Sequence, residues 1–285
     1  MSPTEFSPSE FIVIILSAYF AAVHLFRWYR LTIAVIKADR NDFITAVFCL
    51  APVFAAIINL FTLTTLASYD VVDSPFYITY YLIIGLSWFI ASIYCMFAFF
   101  NLSWIDDALN MENPAAALAI AGGGLGATLI YAGSNTGDGP GWWCVFFAGG
   151  LGLFCWLLLG VLINSATKIF KQITVGRDFS CGIRTCAYFI SSGIILGRAS
   201  GGDWTSFSKT VVEFADGWPV LILTALFILI ELAITNSNAQ DSRRGYADKQ
   251  VKYGLSLSLG AIYIAAAVCA VILLPPLPVN PIYRL

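Results

Sequence analysis

Long apolar runs with few or no charges alternate with polar linkers along the whole chain. Eight such runs, at about 11–26, 43–66, 76–100, 113–133, 142–163, 179–196, 218–235 and 253–274, are read as helices able to cross a hydrocarbon core of about 30 Å. Within lipid the peptide groups have no water to bond, so each run must close its own hydrogen bonds. The run at 113–133, NPAAALAIAGGGLGATLIYAG, is mostly Ala and Gly. In water it would make a poor helix, because each Gly costs about 1 kcal/mol against Ala. In a membrane its small side chains let neighbouring helices approach closely. Asn113 can cap its start, and Pro114 stands where a missing N–H does no harm. Ala119, Gly122, Gly123 and Gly126 are therefore expected to touch other helices, as are Gly193 and Gly197 in the sixth run. The expected fold is an all-α integral membrane protein of eight transmembrane helices, one polytopic domain over residues 1–285.

The linkers carry the orientation. Those after the first, fifth and seventh runs hold four, three and four of the 15 Lys and Arg residues: Arg27, Arg30, Lys37 and Arg40; Lys168, Lys171 and Arg177; Arg243, Arg244, Lys249 and Lys252. Positive residues stay in the cytoplasm, so both termini are expected outside it. The linker after the third run has no Lys or Arg and holds Asp106, Asp107 and Glu112, so it lies inside by parity alone. The segment 198–216 is polar but carries Trp204, Phe207, Val211, Val212 and Phe214, and it is expected to form a short helix in the interface. Trp28, Trp104, Trp142, Trp143, Trp204 and Trp218 stand near run ends and are read as an interfacial belt. Mid-run Trp88 and Trp156 are expected against lipid or small-residue helices.

The alternation also repeats. ADRND, LNMEN, VGRD and ADKQ precede the second, fourth, sixth and eighth runs, and the anchors Phe43, Pro114, Phe179 and Val251 stand 71, 65 and 72 residues apart. Each unit holds two runs, so all four units share one orientation, as four parallel two-helix repeats over about 11–66, 76–133, 142–197 and 218–275. At this point a resemblance enters. ENPAAALAIAGGGLGATLIYAG, residues 112–133, resembles the signature of the YjfL-like bacterial inner-membrane family, a domain of unknown function, and GRDFSCGIRTCAYFISSGIILGRASG, residues 176–201, resembles its second signature. The likeness covers residues 76–201. It implies a protein of the bacterial inner membrane, often associated with envelope stress, and no established chemistry. Arg184 breaks a run that this family would leave uncharged.

Composition agrees with a membrane class: 59% of residues are apolar and 11% charged, where soluble domains carry about 25% charged. A net charge of −2 gives no hint of nucleic acid. One histidine, His24, excludes any mechanism needing a pair. The seven cysteines are scattered without a C-x-x-C and are read as packing residues. Acidic Glu5 and Glu10 replace the basic start of a secretory signal. No phosphate loop, nucleophile elbow or H-E-x-x-H is present, so no catalytic, metal or cofactor residues are assigned and the chain is read as no enzyme. Adjacent Asp106 and Asp107 point apart on a helix and are read as a solvated linker.

Three ionisable residues inside runs remain. Arg184 lies roughly 7–8 Å past the start of the sixth run and Glu231 about 6 Å before the end of the seventh, at 1.5 Å per residue; His24 is near the same level. Charge at such depth costs about 2.5–3.5 kcal/mol. Either all three snorkel to the interface, or they meet as a polar cluster, with Arg184 and Glu231 as partners on neighbouring antiparallel helices. Two functions stay open: movement of a small solute or ion through the bundle, or a non-catalytic scaffold in envelope stress that recruits cytoplasmic partners. The partners implied are the lipid bilayer and either a second copy or a cytoplasmic stress protein. An open polar path would favour the first function, a sealed bundle the second.

Overall fold

A computed structural model describes residues 7–37, 42–240, 247–280 and 282. Arg40, Arg243 and Arg244, counted above for orientation, lie outside the described residues. Eight long helices carry the fold: α1 (Pro8–Lys37), α2 (Asp42–Thr65), α3 (Pro75–Phe100), α4 (Pro114–Ser134), α5 (Trp142–Thr167), α6 (Phe179–Ala199), α7 (Pro219–Gln240) and α8 (Ala247–Leu273). All eight are long and apolar enough to cross a membrane, which fits a polytopic membrane protein. Among the described residues there is no strand, only isolated bridges from Ala67 to Thr136 and Gly137.

Helix boundaries follow local chemistry. Ser74 and Pro75 open α3, and the Ser74 hydroxyl accepts from Tyr77 N. Asn113 Oδ1 accepts from Ala115 N and Ala116 N at the head of α4. Asp178 Oδ1 accepts from Cys181 N at the head of α6. Asn101 and Lys168 end α3 and α5 in the left-handed conformation, at φ 53 and 56.

The even-numbered helices form a row, α2–α4–α6–α8, and the odd-numbered ones pack beside it in the order α1–α3–α5–α7. Neighbours in the even row run parallel. Ala115 faces Gly182, Gly122 faces Cys186, Gly126 faces Phe189 and Gly193, and Gly133 faces Gly197, so position rises together on α4 and α6. On the next interface Gly260 of α8 faces Ala187 of α6. Glycine at these places permits backbone-to-backbone approach: a Cβ on Gly133 would lie 2.0 Å from the Gly197 carbonyl oxygen. Gly123 points elsewhere, onto Met96 of α3 and Trp156 of α5. Ala119 is fully buried. As a result 83% of the most apolar window of α4 is buried, against 6% for α1. The outward faces present large apolar side chains, among them Leu16, Phe61, Phe154, Leu229 and Ile262.

The even helices all begin at one end, called proximal here, where Phe43, Phe179 and Tyr253 stack edge to face in sequence. At the distal end their exits bond to one another. Ala67 bridges Thr136, Gly202 N donates to Thr136 O, Trp204 N to Asp138 O, and Asp203 N to Pro278 O. Asp203 ties the mesh, accepting from Asp138 N at 2.9 Å and Asn280 N at 2.8 Å. The proline-rich tail after α8 is therefore part of this mesh.

Several expectations are corrected. The first run does not end at residue 26: α1 continues through Arg27 and Arg30 to Lys37. Trp28 and Trp104 are not interfacial; they are 1% and 6% exposed and stack on each other with centroids 4.5 Å apart. The reason is a backbone gap. Pro52 in α2 lacks the N–H that would reach the Phe48 carbonyl four residues back, and the Trp28 indole N–H fills it at 2.8 Å. The acidic linker read as solvated is wound into a π-helical turn, Trp104–Asn110, capped by Ser103, which leaves Asp106 exposed and Asp107 half-buried.

Candidate functional site

The polar centre of the bundle is built by three helices. Arg184 of α6 reaches Glu231 of α7 through both arms of a fork, Nε to Oε1 at 2.5 Å and Nη2 to Oε2 at 2.8 Å. Its remaining nitrogen, Nη1, donates to Ser256 Oγ of α8 at 2.7 Å. The two charged side chains are 3% and 0% exposed, so neither snorkels. A planar guanidinium matches a carboxylate through two N–H groups, which is the geometry that holds a charge pair out of water.

His24 takes no part. Its Nδ1 is hydrogen-bonded to Tyr94 Oη at 2.7 Å, and its ring lies 4.4 Å from that of Phe20. This places it between α1 and α3, on the far side of the bundle from Glu231. A single three-residue cluster is thus overturned: common depth does not imply common azimuth. The two aspartates of the π-helical turn also act separately. Asp107 Oδ2 accepts from Ser103 N at 2.7 Å, while Asp106 accepts from the Ser103 hydroxyl and the Asn110 amide. Burial pushes the Asp107 carboxyl above its ordinary value, against the lowering effect of the Ser103 N–H.

From the ion pair a line of buried hydroxyls continues along α6 toward the distal end. Tyr188 and Thr224 oxygens lie 2.7 Å apart. Since the Thr224 hydroxyl donates to Val220 O, Tyr188 is the donor between them. Next, Trp156 Nε1 donates to Ser192 Oγ at 3.1 Å. Tyr263 Oη of α8 and Ser191 Oγ of α6 are buried with no hydrogen-bond partner among the described residues. So is the whole Asn59 carboxamide, which packs on Gly85, as does the Tyr131 ring. Sequence reasoning passes over Ser256, Tyr188, Tyr263 and Asn59. The available signal is spacing: Arg184, Tyr188 and Ser191 recur at helical intervals on one face of α6.

The proximal connections form a second feature. Arg177 Nη2 donates to the carbonyls of Met111 and Glu112, each at 2.7 Å, and Asn113 Nδ2 donates to Ile173 O at 2.8 Å. The connection α3–α4 and the connection α5–α6 are thereby clamped together. On this clamp Met111 and Val175 are 65% and 72% exposed. No group of residues that could hold a metal ion is found among the described residues.

The class these features define is an all-helical, eight-helix chain that fits a polytopic membrane protein, with a sealed ion pair between α6, α7 and α8. No protein-family model, curated protein or solved structure matches it.

Proposed function

We propose that the chain is a multi-pass protein of the bacterial inner membrane, both termini outside the cytoplasm, and that it acts as a non-catalytic scaffold whose proximal face receives a cytoplasmic protein or a second copy. Kinship with the YjfL-like family belongs to this reading, and envelope stress is the setting that kinship implies. Organisation as four parallel repeats is supported by the register of the even row: Gly122 with Cys186 and Gly133 with Gly197 are offset by 64 residues, and Ala187 with Gly260 by 73, close to the anchor spacings of 65 and 72. Orientation is supported by Lys168, Lys171 and Arg177 at the proximal end.

The observation that carries the scaffold reading is the clamp. Arg177 and Asn113 lock two connections into one surface, and that surface presents Met111 and Val175 beside Glu112. The ion pair adds to it, since all three guanidinium nitrogens and both carboxylate oxygens are engaged within the chain. Photocrosslinking residues at positions 111 and 175 in cells should give a discrete adduct that R177A abolishes, with no adduct at position 212. Absence of adducts at both positions, together with solute flux in proteoliposomes, would overturn the reading.

A second reading, movement of a small solute or ion, is favoured by the hydroxyl line from Glu231 to Ser192 and by the buried Tyr263 hydroxyl, which has no hydrogen-bond partner among the described residues. Proton or cation flux through reconstituted protein, lost in E231Q, would place it first.

A further inference from the structure

Toward the distal end the row α2–α4–α6 opens a cleft of about 460 Å³ on its outer face. Its wall is Ile57, Phe61 and Leu66 of the second helix and its exit, and its floor is Ala132, Gly133 and Gly197. The floor is low because α4 and α6 meet there backbone to backbone, with nothing larger than a hydrogen on Gly133. At the proximal end the same helices close over α4, where Phe43 meets Phe179. The lining begins at Ile57, Leu129 and Ile194, so the cleft occupies the distal part of the row and does not reach the proximal end.

Its dimensions and its one charge point to an occupant. From Ile57 to Leu66 the wall is about 13–14 Å tall, close to the roughly 15 Å of one leaflet of a bilayer core of about 30 Å. Arg198 is the charged residue lining it, and stands at the distal mouth. Arg198 Nη2 donates to the Pro275 carbonyl, which holds the guanidinium in place. Nε and Nη1 make no hydrogen bond among the described residues, and Asp216 is the acid that acts on the guanidinium. A fixed guanidinium with donors to spare is complementary to a phosphodiester, and basic residues at pockets between membrane helices bind lipid head groups.

We propose that this cleft holds one acyl chain of an anionic phospholipid from the distal leaflet, with the phosphodiester seated on Arg198. The proposal rests on the membrane reading above and is independent of the scaffold reading. Fractionation of cells reports on the membrane reading separately, since a chain recovered without detergent would end both.

The full chain, purified in mild detergent, is titrated with phosphatidylglycerol or phosphatidylcholine. Bound lipid is counted by native mass spectrometry, and thermal stability is followed alongside. The native chain should keep one phosphatidylglycerol about fivefold more tightly than phosphatidylcholine, or better. R198Q should erase that preference and R198K should retain it. I58W, which fills the cleft from its partly exposed rim, should exclude both lipids. Equal retention of the two lipids by the native chain overturns the proposal. So does an unchanged preference in R198Q, or unchanged lipid retention in I58W. Inorganic phosphate stabilising as well as phosphatidylglycerol would also overturn it, by marking a site for a free anion. Should R198Q fail to fold, the native chain and I58W decide the question.

Discussion

Gly193 is shaped around Gly126: a Cβ on Gly193 would stand 2.4 Å from the Gly126 carbonyl oxygen, and one on Gly126 would stand 2.2 Å from the Phe189 carbonyl oxygen. No flexible side chain is there to give way, so even one methyl must part the helices. G126A and G193A should each cost about 1–3 kcal/mol through overpacking, seen as reduced thermal stability in detergent, and the leucine variants should lower folded yield. G150A is the control, because nothing lies within 4 Å of a Cβ there. Unchanged melting of both alanine variants would contradict the close contact.

The Arg184–Glu231 pair predicts a strongly non-additive cycle. R184A or E231A leaves one buried charge unmatched, at about 3–5 kcal/mol. The double variant should lose far less than the sum of the two, because both charges are gone. Additive losses in thermal stability would show that the two side chains act independently.

Trp28 and Pro52 predict a rescue. W28F orphans the Phe48 carbonyl and should cost about 1–3 kcal/mol, beyond the small change in packing. In a P52A background the backbone regains an N–H at position 52 that can reach that carbonyl, so W28F should then cost less. An equal cost in both backgrounds would mean that the indole hydrogen bond does not complete the helix.

Asp107 predicts a pH effect of defined sign. An acid whose folded-state value is raised is penalised when ionised. The stability linked to it is present at low pH and is lost as pH rises through the folded value. D107N should therefore lose less stability than the native chain as pH rises from the acid range toward neutrality. A native chain and D107N with parallel pH profiles would remove Asp107 as the source.

Orientation is testable on exposed positions. With the native cysteines replaced, V212C at 71% exposure should label in intact cells, and V175C at 72% only after permeabilisation. The reverse pattern would invert the topology.

Much of the architecture is legible because it rests on one-dimensional signals. Run length and scarcity of charge mark the eight helices, and the Ala/Gly content of 113–133 marks α4 as the most enclosed. Depth along successive helices brings Arg184 and Glu231 to one level, and the structure joins them. What depth cannot give is azimuth, so His24 shares a level with two residues that stand on the opposite side of the bundle. Ser256 sits in GLSLSLG, where nothing distinguishes it from Ser258. Trp28 and Trp104 stand at run ends, and only the missing N–H of Pro52, felt across an interface, explains why one of them turns inward.

The distal mesh has a mechanical consequence. Main-chain bonds join the exits of all four even helices, whereas at their starts Phe43, Phe179 and Tyr253 meet by ring edges and the side chains of Arg177 and Asn113 tie the entries of α4 and α6. The distal exits are thus riveted backbone to backbone around Thr136 and Gly202, while the proximal starts are held by side chains alone. A side-chain substitution can therefore loosen the row at its proximal end, whereas the main-chain bonds between Thr136, Gly202, Asp203 and Pro278 hold its distal end whatever side chains the other positions carry.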